Sequence, residues 1–232
     1  MTGVDRGVWL AERRAAVTAA YDTFAPEYDA DDRPLPPIHR SFVERLLAMT
    51  PPDGRILDVP CGTGRYFLLV ADSGRTVVGA DQSPGMLERA RSRGIADALH
   101  QRGLQELAFD ATFDGVMTID SMEHVPPEEW PGVVAALRRA VRPGGVLYLT
   151  VEETDQAEIE AAYAELRRRG LPAVRGEVIE GDVGGYHFYP SRDQVDRWLD
   201  AEELDIVDDV TETGEGWAYR HLLLRVRQDE TA

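Results

Sequence analysis

The chain has 232 residues, 43% of them hydrophobic, and a formal net charge of −17. That length and apolar content can bury a full core as one large α/β domain with a small cap, and no apolar run approaches the roughly 20 residues of a membrane span. The charge disfavours a nucleic-acid backbone or an anionic membrane as partner, since both would be repelled. One cysteine excludes an intrachain disulfide framework, and the start Met1-Thr-Gly-Val-Asp-Arg lacks a signal peptide's apolar core, so the expected compartment is the cytoplasm.

In chain order, Val8 to Ala20 has helical character and leads into a polar, aromatic segment, Tyr21 to Asp29, and then the proline-rich Pro34 to Pro37. Ile38 to Met49 repeats apolar residues at helical spacing (Phe42, Val43, Leu46, Leu47) and is predicted as an amphipathic helix. The first strand is Arg55 to Val59, followed by a glycine turn and a helix from Tyr66 to Asp72. The second strand is Thr76 to Ala80, and its helix has Ser83 as N-cap, Pro84 at the first position and Gly94 beyond the end. A third strand, Leu99 to Arg102, and a fourth, Phe113 to Ile119, precede a helix over Pro127 to Val141 that Arg142-Pro-Gly-Gly145 should stop. The fifth strand is Val146 to Val151.

Strands separated by helices predict a parallel sheet with helices on both faces. The end of the chain breaks that rhythm. Leu204 to Thr211 and Ala218 to Arg227 read as strands joined only by Glu212 to Trp217. A parallel neighbour needs a crossover of about a dozen residues or more, so the two form a hairpin or lie in different sheets. The expectation is a Rossmann-like, seven-stranded, mostly parallel sheet with a C-terminal antiparallel hairpin.

The glycine turn narrows the ligand. Gly62 and Gly64 let a molecule approach the backbone where a side chain would block it, and Asp81, at the carboxyl end of the second strand, can accept from both hydroxyls of a ribose. A dinucleotide site would need a third glycine where Phe67 stands, and no Lys followed by Ser or Thr closes the turn as a Walker A loop requires. Pro60 lacks a backbone donor, which leaves the close approach to the glycines, and Cys61 reads as a small filler.

The stretch Asp58-Val-Pro-Cys-Gly-Thr-Gly64, with Asp81, resembles the first motif and the ribose-binding acid of class I S-adenosylmethionine-dependent methyltransferases. Tyr21-Asp-x-x-Ala-x-x-Tyr28-Asp29 is similar to the N-terminal segment of the ubiquinone/menaquinone branch, and Leu107-Ala-Phe109 with Phe113-Asp114 looks like a further motif pair. The resemblance covers Tyr21 to Val151 and, more loosely, the terminal hairpin. It implies S-adenosyl-L-methionine as cofactor and a segment, Tyr21 and Tyr28 included, folded over its methionine end, although the same aromatics would also pack a helix junction. Asp58 would hold the turn or face the cofactor's ammonium, and Asp120 lies near the expected methyl position. The family's adenine-pairing Asp is Gly103 here, so that contact passes to backbone around Gly103 and Leu104 and to walls such as Gln82.

Methyl transfer needs an acceptor near 3 Å from the methyl in a dry pocket, and an oxygen acceptor benefits from a base near neutrality. Ligands bind at the carboxyl ends of parallel strands, which brings forward Glu123 and His124 after the fourth strand, His124 as a base or as a residue that caps the loop. Asp120 alone does not supply the oxygen set of a Mg²⁺ site, so no metal is expected. Some forty residues separate the fifth strand from the helix opened by Ser191, an excess expected of a lid. It has an amphipathic helix over Asp155 to Arg169, a glycine-punctuated stretch Leu171 to Gly185, and the run Gly184-Gly-Tyr-His-Phe-Tyr-Pro190. That run either packs the lid or presents Tyr186, His187 and Tyr189 to an acceptor, with His187 as the leading base; Trp217 and Tyr219 of the last strand would form the far wall, with His221 beside them read first as structural.

The predicted organisation is an N-terminal helical cover (1–50), a cofactor-binding core (51–151), a substrate lid (152–190) and a terminal helix and hairpin (191–232). The expected activity is methylation of a small-molecule oxygen or nitrogen, oxygen slightly preferred on account of His187, with a homodimer left open. The competing readings are a protein or RNA methyltransferase and a cofactor-binding module or regulatory partner without turnover.

Overall fold

The computed structural model describes residues 4–29, 33–180 and 185–227. Gly184, at the start of the aromatic run, and the outer ends of the first and last predicted segments lie outside the described residues. The elements are α1 (Arg6–Phe24), α2 (Pro37–Ala48), β1 (Arg55–Asp58), α3 (Phe67–Asp72), β2 (Thr76–Asp81), α4 (Pro84–Ser92), β3 (Ala98–Gln101), β4 (Phe113–Thr118), α5 (Trp130–Ala140), β5 (Val141–Glu153), α6 (Gln156–Arg168), β6 (Glu177–Glu180), β7 (Gly185–Phe188), α7 (Arg192–Ala201), β8 (Leu204–Gly214) and β9 (Trp217–Val226).

Seven strands form one sheet in the order β3-β2-β1-β4-β5-β9-β8. The first five pair in parallel, and β9 is antiparallel to both β5 and β8, as the short connection requires. Alternation along the strands fills two cores. Leu57, Val78, Val116, Leu147 and Leu222 face α5 and α7, whose Val133, Leu137, Val195 and Leu199 are buried with them. Ile56, Val77, Met117, Tyr148 and Leu223 face α2 and α3, which contribute Phe42, Val43, Leu46, Leu47, Phe67 and Val70. Each such aliphatic or aromatic burial stabilises the fold by about 1.5–3 kcal/mol relative to exposure.

The boundaries differ from the sequence reading for local reasons. α1 is longer at both ends, because the Asp5 side chain caps it by accepting the Val8 N–H and no proline intervenes before Pro26. Tyr21 is therefore helical. α5 ends at Ala140, just ahead of Arg142 to Gly145, and Val141 already pairs with Phe113 before a register shift in β4, with Gly144 in left-handed backbone (φ +76°). The segment expected as a lid gives α6, capped by Asp155, followed by a β6–β7 hairpin where only a glycine-punctuated stretch was expected. No helix among the described residues is long and apolar enough to cross a membrane.

Candidate active site

β1 ends at Asp58, and the chain passes through the cis Val59–Pro60 peptide into a turn in which Gly62 (φ +52°) and Gly64 (φ +77°) both take left-handed backbone. The two glycines serve different ends. No heavy atom lies within 4 Å of where a Gly62 Cβ would sit, so that backbone is open to a ligand, whereas a Gly64 Cβ would meet the Phe67 ring at 2.6 Å. Gly64 is thus a packing residue, with Phe67 filling the space beside it.

Asp81 ties this turn to α4. Its Oδ2 accepts the Gly62 N–H at 2.8 Å and its Oδ1 the Ser83 N–H at 2.8 Å. Burial pushes the carboxyl up while these N–H bonds pull it down. Each oxygen keeps acceptor capacity for a ribose hydroxyl. The cleft beside it is walled by Tyr21, Tyr28, Pro60, Gly62, Asp81, Gln82, Gly103, Leu104, Asp120 and His124, with Met86 and Ile119 adding apolar surface. Of the eleven cofactor contacts expected from the sequence, only Asp58 and Gly64 are not in this wall. Asp58 is 1% exposed and its Oδ2 has no hydrogen-bond partner; burial and the charge of Asp81 push its carboxyl well up. Cys61 is inert for the same reason, its thiol pushed up by burial and two nearby carboxyls.

At the adenine end, the Gly103 N–H donates to Glu106 Oε2 at 3.1 Å and is not open to a base. The Gln82 and Gln105 carboxamides flank the glycine instead, their Oε1 atoms 3.5 and 3.2 Å from where its Cβ would be.

The aspartates of the Tyr-Asp pairs fasten the N-terminal segment over the cleft. Asp22 Oδ1 accepts from the Ser83 hydroxyl and from the Gly85 N–H at 3.0 Å, at the start of α4. Asp29 Oδ2 accepts from the Thr63 hydroxyl of the glycine turn and from Arg93 at 2.7 Å. Tyr21 and Tyr28 are held side by side, ring centroids 6.4 Å apart.

The acceptor side lies where the carboxyl ends of β4 and β5 meet β7. Asp120 has left-handed backbone (φ +47°), held by its N–H to Thr150 Oγ1 at 2.6 Å. Its side chain is still 41% exposed in the cleft, and crowding by protein pushes its carboxyl up to about 6. His124 Nδ1 lies 3.0 Å from the Tyr186 carbonyl, which can only accept, so Nδ1 carries the proton and Nε2 accepts from the Tyr21 hydroxyl at 3.1 Å. Burial lowers this imidazole to about 4, and it is neutral at pH 7. Glu123 is buried, its Oε2 has no hydrogen-bond partner, and burial with the charge of Glu152 pushes its carboxyl up to about 8. His187 Nδ1 sits 2.9 Å from Glu152 Oε2 and 3.1 Å from the Tyr189 hydroxyl. Tyr219, paired with Glu152 across β5–β9, lies within reach of the charges of Glu123, Glu152 and Asp120.

Other predicted wall residues turn elsewhere. Tyr186 is 2% exposed, edge-on to Trp9, and its hydroxyl donates to Glu177 at 2.7 Å. Glu177 is also the bidentate partner of Arg6 (2.7 and 3.1 Å), so the pair fastens the lid hairpin to α1 rather than facing an acceptor. The Tyr189 ring packs with Ile159 and Val178 inside the lid. Trp217 is exposed at the hairpin tip over Gly214. His221 is fully buried, 2.8 Å from the Tyr148 hydroxyl and against the rings of Phe42 and His39; burial lowers it to about 4. Its place is structural.

Among the site's neighbours absent from the sequence prediction are Glu152 and His39. Glu152 directly follows the fifth predicted strand, and the rule applied after strand four would have found it. His39 lines the cleft 3.6 Å from Asp120 Oδ2 with Tyr66 2.7 Å from its Nδ1, and nothing in its helical neighbourhood signals this.

The cleft fits an adenosyl sulfonium better than a dinucleotide. The turn is open at Gly62, Asp81 offers the diol acceptors, and the carboxyls of Asp81 and Asp120 in the wall disfavour a pyrophosphate and favour a cationic ligand. A family model described as a methyltransferase domain matches residues 56–145. Cypemycin N-terminal methyltransferase of Streptomyces sp is 32% identical over 169 residues, covering 69% of this chain and 67% of that protein. Malonyl-[acyl-carrier protein] O-methyltransferase of Serratia marcescens is 30% identical over 165 residues, 66% of this chain and 59% of that protein. Among solved structures, Burkholderia thailandensis 1,6-didemethyltoxoflavin-N1-methyltransferase aligns with a TM-score of 0.66 at 16% identity, over 94% of this chain and 90% of that one. The chain belongs to the class I S-adenosylmethionine-dependent methyltransferases. It spans about half to three fifths of the length of the first curated relatives it matches.

Proposed function

We propose that this chain transfers a methyl group from S-adenosylmethionine to an oxygen or nitrogen of a small-molecule acceptor bound between the cleft and the lid hairpin. The observation that carries this reading is the continuity of the site. Asp120 and His124 wall the cleft and also border buried Glu123 and the half-buried Glu152 and His187. When bound, the cofactor supplies a methyl on a sulfonium centre. The residues supply the rest: Asp81 and the Gly62 backbone hold the nucleoside, Tyr21 and Tyr28 cover it, and α6 with β6–β7 excludes water. His187, set against Glu152, is the proposed proton acceptor.

Calorimetry with S-adenosylhomocysteine against NAD⁺, then product mass after incubation with S-adenosylmethionine and candidate acceptors, tests the reading. Binding of the homocysteine nucleoside alone, its loss in Asp81→Ala, and a product heavier by one methyl are the expected results. Replacing His187 by Gln should slow turnover with nucleoside binding intact; unchanged turnover removes it from the mechanism.

A further inference from the structure

We propose that the acceptor is an amine that enters as its ammonium ion and is held against Glu123 and Glu152. The inference rests on the methyl-transfer reading and names the substrate class of that same site. Its starting point is a pair of unsatisfied acceptors. Glu123 is 4% exposed and its Oε2 has no hydrogen-bond partner. Glu152 Oε2 has none either, its neighbour being the ion-pair contact with His187 Nδ1 at 2.9 Å. Buried carboxyl oxygens without donors are costly in a folded chain unless something supplies the donors. Asp120 adds a third carboxyl on the cleft side, close enough to act on both Glu123 and Tyr219.

The only cationic partner for this charge among the described residues is the His187 imidazole beside Glu152. Among the described residues no arginine is paired with Glu123 or Glu152, and the group that draws the Glu123 carboxyl down by its charge is the His187 imidazole. No grouping of His, Cys, Asp and Glu among the described residues is arranged to hold a metal ion. An ammonium supplies both the charge and up to three N–H donors that these oxygens lack. The phenol groups of Tyr21 and Tyr219 also lie within reach of the Glu123 charge, giving the site aromatic surface that suits a cation. A phenolate would meet the carboxyls of Glu152 and Asp120, of its own sign, and an alcohol brings no charge to offset them.

The chemistry balances. The ammonium gives one proton to the His187 imidazole, set against Glu152, which frees the nitrogen lone pair. The N–C bond forms as the S–C bond breaks, leaving S-adenosylhomocysteine and an N-methylammonium. Positive charge on the nitrogen is thus restored opposite the same carboxyls.

The test uses the full chain saturated with S-adenosylhomocysteine and two matched probe pairs, tyramine against tyrosol and 2-phenylethylamine against 2-phenylethanol, titrated by calorimetry at pH 7. The amines should bind about tenfold or more tightly than their alcohols, and Glu123→Gln or Glu152→Gln should remove most of that difference with S-adenosylhomocysteine affinity unchanged. With S-adenosylmethionine, only the amines should gain a methyl. Equal or alcohol-favoured binding, no binding of either amine, or a preference that survives both variants overturns the proposal. Failure to bind S-adenosylhomocysteine would instead overturn the reading of the cleft.

Discussion

The Tyr21 hydroxyl donates to His124 Nε2 at 3.1 Å, and the opposite ring nitrogen donates to the Tyr186 carbonyl at 3.0 Å. One neutral imidazole therefore joins the N-terminal helix, the loop after β4 and the lid hairpin. His124→Gln should lower kcat about three- to tenfold by letting these elements shift, while the apparent pKa values of the pH–rate profile stay where they are, since the ring, at about 4, does not titrate near neutrality. A shifted profile in that variant would return His124 to the proton path.

The two turn glycines should separate in their effects. Alanine at Gly64 combines left-handed backbone with a 2.6 Å clash on Phe67, and thermal unfolding should show a loss of about 2–4 kcal/mol. Alanine at Gly62 meets open space, so its folding cost is the backbone strain alone, about 1 kcal/mol. Nucleoside affinity should fall at least tenfold in this second variant, because its methyl would occupy the face a ligand approaches.

Arg6→Ala leaves the Glu177 carboxylate, which is fully buried, without its cation, although Tyr186 and the Val174 N–H still donate to it. Arg6 is partly exposed, so the loss should be about 2–3 kcal/mol by denaturant titration, below the 3–5 of a fully buried pair. Protease nicking should appear first within the lid hairpin.

Glu123 carries a folded-state pKa of about 8 against an ordinary 4.5. Its neutral form is the one the fold favours, so this contribution is whole below pH 4.5 and is lost as pH rises through 8. The Tm of Glu123→Gln minus that of the parent should increase steadily over that interval. A flat difference would mean that the carboxyl is solvated.

Legibility in the sequence followed the range of the forces involved. The parallel order, the glycine turn, Asp81 and the terminal hairpin depend on spacings of a few residues, and all were readable. So was the capping of α4 and α7 by Ser83 and Ser191. Tyr186 was left open between packing and ligand contact because nothing local distinguishes a buried aromatic donor from a ligand contact; its partner Glu177, like the Tyr148 partner of His221, lies on another element. The pins made by Asp22 and Asp29 stayed hidden for the same reason, each bonding more than thirty positions away. The β6–β7 pairing depends on an anchor from the far N-terminal helix, which no window on residues 171–190 contains.

α1 is bonded at its start to the lid through Arg6 and near its end to α4 through Asp22, a rigid strut about 28 Å long. A strut fastened at both ends cannot tilt away from one chamber without disturbing the other. On the proposed methyl-transfer reading, loading of an acceptor should therefore change the rate of nucleoside exchange, and the kinetics of one should report on the occupancy of the other.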